Sequence, residues 1–154
     1  MIGGSVLPSS MRLWIGVAGS LILLSGCAKD DGRLKAYPVH GKVTVDGQPA
    51  KGVFVFLTPA KQPATHAIIP MGVSDDQGEY WISTYDSGDG APLGDYMVTS
   101  KWPKASGMQA VQSDSPDSLG DRYSDPAKSS IKLTVQEATQ AKPNEIAPLE
   151  LTSK

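Results

Sequence analysis

From Tyr37 to the C-terminus, apolar side chains recur at every second position rather than every third or fourth. Val39, Val43 and Val45 alternate with His40, Lys42 and Thr44, and Tyr96 and Val98 alternate with Met97 and Thr99. Ile131, Leu133 and Val135 do the same around Lys132 and Thr134. A period of two puts the apolar set on one face of an extended chain, whereas a helix needs a period of 3.6. Sixteen glycines and twelve prolines punctuate these runs. Asp46-Gly47 is a tight hairpin signal, and Pro59 and Pro103 close strands because proline has no N–H to give a ladder. The pattern predicts strands near 39–45, 53–58, 67–74, 80–84, 96–102, 131–135 and 146–151. In the second of these Val53, Val55 and Leu57 face one way and the equally apolar Phe54 and Phe56 the other, which predicts cover on both faces. Seven such strands imply an all-β fold, an antiparallel sandwich in which each strand gives one face to a shared core.

Residues 104–129 interrupt the rhythm. They are rich in Ser, Asp and Gly, and at this length an excursion in a compact domain is specialised or mobile. Ser115-Pro116 has the chemistry of a helix start, predicting one helical turn that leads to Leu119.

The N-terminus is of another kind. Arg12 is the only charged residue before Lys29, and Leu13 to Leu24 is apolar or small throughout. A basic residue, an apolar run of this length and then small residues form the pattern of a secretory signal, and the run is short for a spanning helix. Met11 directly precedes Arg12, so translation from Met1 and from Met11 are both open. Leu24-Ser25-Gly26-Cys27 contains the single cysteine of the chain and resembles the lipobox of bacterial lipoproteins, where cleavage falls just before the cysteine. The resemblance implies a signal peptide over 1–26 and a diacylglycerol thioether on Cys27. A second acyl chain matters, because one chain holds a protein only marginally to a bilayer. Residues 27–36 are polar and aperiodic, a flexible tether. Ala28, directly after the cysteine, favours the outer membrane by the same resemblance. The expected location is the cell envelope, lipid-anchored, on the outer membrane or the periplasmic face.

Val39-His40-Gly41-Lys42-Val43-Thr44-Val45-Asp46-Gly47-Gln48-Pro49 then leads through Gly52-Val53 into the second strand. With Gly72-Val73-Ser74-Asp75-Asp76-Gln77-Gly78-Glu79-Tyr80 and Gly90-Ala91-Pro92-Leu93-Gly94-Asp95-Tyr96-Met97-Val98, it resembles the carboxypeptidase regulatory-like, or transthyretin-like, domain family. Arg122-Tyr123-Ser124-Asp125-Pro126 and the strand Ile131–Val135 look like the version found in small lipoproteins of planctomycete-type bacteria. The resemblance implies a seven-stranded Greek-key sandwich of prealbumin type over 37–152, used as an accessory, adhesive or carbohydrate-contacting module. The peptidase domain for which the family is named is absent, as is any H-x-x-E pair, so no enzyme activity is implied. Read physically, Gly47 and Gly78 serve turns, and Tyr80 and Tyr96 each offer a buried ring with a wet hydroxyl.

Few residues invite chemistry. Lysine and arginine total 14 against 16 aspartates and glutamates, so no basic field for nucleic acid exists. One cysteine allows no intrachain disulfide, and His40 and His66 alone do not make a zinc site. Asp75, Asp76, Asp86, Asp89 and Asp95 raise the question of calcium, yet they lack the loop order and the bidentate glutamate that a calcium loop uses, and turn chemistry accounts for them. Trp81, Tyr85 and Trp102 raise the question of a sugar-stacking platform, against the commoner fate of core packing. Asn144, the only asparagine, with Lys42 on the first strand raises an intramolecular isopeptide. No catalytic, cofactor or metal residue is assigned; the one assigned site is lipidation at Cys27, with membrane lipid as partner beside an unspecified protein or glycan. The expected function is a non-catalytic anchored lipoprotein presenting a binding or structural module, the alternative a carbohydrate- or calcium-binding adhesion module.

Overall fold

The computed structural model describes residues 32–61, 68–104 and 115–153. The chain divides into Met1–Gly32 and Arg33–Lys154, and every described strand belongs to the second unit. The signal segment 1–26, Cys27 and His66 lie outside the described residues. Among those described, no helix is long and apolar enough to cross a membrane.

The domain is all-β, with two main sheets. The strand β2 (Val39–Val45) forms the spine of the first. Its even-numbered backbone groups bond the C-terminal chain, through Ile146 N to His40 O and Asp46 N to Leu151 O. Its odd-numbered groups bond the other flank, through Ile82 N to Val39 O and Val43 N to Gly78 O. The first flank carries β10 (Asn144–Glu145) and β11 (Leu149–Leu151), both parallel to β2. The second carries β3 (Gln48–Pro49) and β6 (Glu79–Trp81), both antiparallel. Pro148, lacking an N–H, lies in the break between β10 and β11. The second sheet is antiparallel throughout, in the order β5 (Met71–Val73), β4 (Phe54–Pro59), β8 (Gly94–Lys101), β9 (Lys132–Val135). A two-strand ribbon, β1 (Ala36–Tyr37) with β7 (Ala91–Pro92), completes the set.

Both sheets turn their period-two apolar faces into one core. Val39, Val43, Val45, Tyr80, Leu149 and Leu151 come from the first, and Val55, Leu57, Val98, Leu133 and Val135 from the second. The burial pattern of β2 alternates as its sequence predicts, with His40, Lys42 and Thr44 on the outer face. Phe54 and Phe56 stack on the far face of β4, ring centroids 6.3 Å apart, and Phe54 is buried there.

Three expectations change. The pairing is not antiparallel throughout: the last strand runs parallel beside the first, because the chain crosses through the other sheet before returning, as parallel neighbours require. The helical turn expected at Ser115-Pro116 is absent, and a 3-10 turn lies instead at Pro126–Lys128. Asp125 caps that turn by accepting from Ala127 N, and Pro126 opens it. Residues 33–36, read as part of a flexible tether, make contacts with the domain: β1 begins at Ala36, and Leu34 N donates to the Tyr85 hydroxyl at 3.2 Å.

The described part of the 104–129 excursion is built into the fold. Leu119 is fully buried in the core. Asp117 accepts from Trp102 N, Leu119 N and Asp121 N, which bends the chain back onto the end of β8. Residues 105–114 lie outside the described residues.

Candidate functional site

On the outer face of the first sheet, strand register places Glu145, His40 and Trp81 in one row across three strands. The row exists because His40 is an even-numbered residue of β2, opposite in phase to the buried valines. His40 Nδ1 lies 3.2 Å from Glu145 Oε2, and its ring stands 4.7 Å from the Trp81 ring at 43°. The indole is 41% exposed. One step along the sheet, Lys42 Nζ faces Glu79 Oε1 at 3.7 Å. Of these groups, Trp81 and Glu79 also line a shallow cleft of about 520 Å³ whose wall includes Gly72, Asp75, Ser83 and Ser87. Chemically the cleft offers one flat apolar ring, two carboxylates and two serine hydroxyls, with the His40 imidazole against the ring outside it.

The cleft exists because β5 and β6 approach closely at the edge where the sheets meet. Met71 and Ser83 exchange both backbone hydrogen bonds, at 3.0 and 2.8 Å. A Cβ on Gly72 would lie 2.6 Å from the Trp81 carbonyl oxygen, so only glycine allows the approach.

Under the row sits Tyr80, whose ring is in the core and whose hydroxyl rests against Gly41 on the neighbouring strand. Among the described residues, that hydroxyl is the one buried side-chain polar atom with no hydrogen-bond partner. Tyr80 therefore departs from the expected wet hydroxyl: with no Cβ on Gly41, the phenol slides inward over the strand instead of reaching water. Burial, helped by the Glu145 carboxylate, pushes the phenol well above its ordinary range. Tyr96 keeps its buried ring and donates to Pro92 O at 2.9 Å. Its phenol is also raised by burial, with a lesser push from Tyr85.

Two of the aspartates, Asp89 and Asp75, are occupied by backbone amides. Both oxygens of Asp89 are used, accepting from Thr84 N, Tyr85 N and Asp86 N at 2.7 to 3.1 Å. Asp75 accepts from Gln77 N and Glu79 N, and these two bonds hold its carboxyl below the usual range. Among the described residues no three acidic, histidine or cysteine side chains gather as a cation site would need. Asp95 bonds the Thr134 hydroxyl, and Asp76 pairs with Lys51 at 2.8 Å.

The three aromatics do not form one platform. Trp102 is half-buried against the core, and its indole donates to Lys51 O at 3.0 Å. Tyr85 lies in the bend after β6 beneath the Arg33 guanidinium, 5.2 Å from the ring centre. Only Trp81 stays open on the sheet face. Asn144 and Lys42 also serve separate ends: the Asn144 amide ties Gln136 N, Gln136 O and Pro38 O, while Lys42 turns to Glu79. Glu145 was not foreseen, since it is 105 residues from His40 and no local pattern links them. Comparison with protein-family models, with curated proteins and with solved structures finds no match to this chain.

Proposed function

We propose that this chain is a lipid-anchored envelope protein whose β domain, a Greek-key sandwich of prealbumin type, serves as a non-catalytic binding or structural module. The observation that carries the reading is the run Leu13–Leu24 followed by Ser25-Gly26-Cys27, which ends nine residues before the first strand at Ala36 (36 − 27 = 9). Two packed sheets sharing one apolar core support the sandwich. Intact mass and membrane fractionation test the anchor. The mature chain should begin at Cys27 and carry the mass of diacylglycerol, and Cys27→Ser should leave it unacylated and out of the membrane pellet. An unmodified thiol with residues 1–26 still attached overturns it.

A second reading, carbohydrate binding, rests on Trp81. An exposed indole beside carboxylates and hydroxyls suits a pyranose, whose C–H face stacks on the ring while its hydroxyls donate to Glu79 and Asp75. A glycan array read with the folded chain and with Trp81→Ala tests it: binding lost in the variant, with the melting midpoint kept, supports the reading. No binding to any glycan removes it.

A further inference from the structure

The hairpin that walls the Trp81 cleft is fastened at both ends and open in the middle. β5 joins β4 in its even-numbered phase, with Leu57 N donating to Pro70 O and Ser74 N to Val53 O. The N–H and C=O of Met71 and Val73 therefore point to the other side. β6 joins β2 through Ile82 N to Val39 O and Val43 N to Gly78 O, which turns the N–H and C=O of Glu79 and Trp81 toward β5. Two facing pairs close: Met71 exchanges both bonds with Ser83, and Asp75 N donates to Glu79 O. In that register Val73 falls opposite Trp81, and among the described residues no bridge joins these two. The Trp81 carbonyl rides over Gly72 instead, its oxygen 2.6 Å from where a Cβ would stand. Val73, 46% exposed, and Trp81 both line the cleft.

A trans secondary amide carries its N–H and C=O on opposite sides, so it suits a gap with a donor on one wall and an acceptor on the other. The closures at Met71 and Asp75 are four residues apart (75 − 71 = 4), about 13 Å of strand, and between them no continuous peptide strand can run. An amide carried as a side group can enter. We infer that the cleft selects acetamido sugars, the acetamido oxygen accepting from Val73 N and its N–H donating to Trp81 O while the pyranose stacks on the indole. The inference rests on the carbohydrate reading of Trp81 and names the class of sugar. The rest of the wall agrees with a neutral sugar: Asp75, Glu79 and Ser87 can accept from its hydroxyls, and two carboxylates with no cation among the lining residues disfavour an acidic one.

Calorimetric titration of the full chain tests the inference with two trimers of the same linkage, one of N-acetylglucosamine and one of glucose, which differ only in acetamido for hydroxyl. The acetamido trimer should bind about tenfold tighter, the order of two added hydrogen bonds. Val73→Pro removes the donor at a position whose N–H faces away from the β4 ladder, where proline is tolerated. That variant should keep its melting midpoint and bind the two trimers equally. In the unaltered chain the Val73 amide resonance should move with the acetamido trimer and stay in place with the glucose trimer, which decides the matter even where the proline variant fails to fold. Equal or reversed affinities, an unmoved Val73 amide, or a preference that persists in folded Val73→Pro each overturn the acetamido assignment and leave the carbohydrate reading standing. No binding to either trimer or to any glycan removes both.

Discussion

At the scale of single residues, the Tyr80 hydroxyl is the clearest liability of the fold. A buried polar group without a partner costs about 1–3 kcal/mol, so Tyr80→Phe should stabilise the domain by about 1 kcal/mol in denaturant unfolding. Because the folded-state value of this phenol lies above the unfolded one, its neutral form favours folding fully below about pH 10 and that advantage fades as pH rises further. Stability measured upward from pH 10 should therefore fall more gently in Tyr80→Phe, with Tyr96 supplying the decline that remains. Gly41→Ala should destabilise by about 1–3 kcal/mol, since its Cβ would meet the Tyr80 ring. The motif Val39-His40-Gly41 was legible as a strand with an inward and an outward face. That its glycine makes room for a phenol 39 residues on was not, because only pairing sets them opposite each other.

At the scale of elements, side chains that accept several backbone N–H groups hold the turns. Asp89→Ala releases three donors in the bend 84–90 and should cost about 1–2 kcal/mol, the order of a lost helix cap, with hydrogen exchange rising at Thr84, Tyr85 and Asp86. Since those oxygens face amides, calcium and chelator should give the same melting midpoint; a rise with calcium would mean the bend rearranges around the ion. Gly72→Ala should separate β5 from β6 and weaken the Trp81 cleft, seen as faster exchange at Met71 and Ser83. The turn chemistry of Asp75 and Asp89 could be read locally because each accepts from amides within five residues, whereas the Asp46 carboxylate accepts from Ser153 N, 107 residues on. The 3-10 turn could not be located, since Ser115-Pro116 and Asp125-Pro126 both have start chemistry and only the second forms a turn, with Asp125 accepting from Ala127 N.

At the scale of the whole molecule, the two sheets meet through large apolar residues, and Leu119 reaches that core from an excursion that looks polar. Leu119→Ala should lose about 2–5 kcal/mol, the ordinary cost of a buried leucine, which checks that the excursion is structural. What the sequence determined on its own was everything encoded at short range: the period of two, hence strands and an all-β domain; the turn residues; and the apolar run with its cysteine, a chemical pattern that needs no fold to be read. What only the tertiary structure decided was which strands are neighbours. The parallel return of residues 144–151 along β2, the row Glu145–His40–Trp81, and the ribbon that pairs Ala36 with Pro92 each join residues far apart in the chain. The physical reason is that alternation states which face of a strand is buried, whereas backbone ladders are chemically alike in every strand. Partner and direction are then chosen by the packing of the whole core.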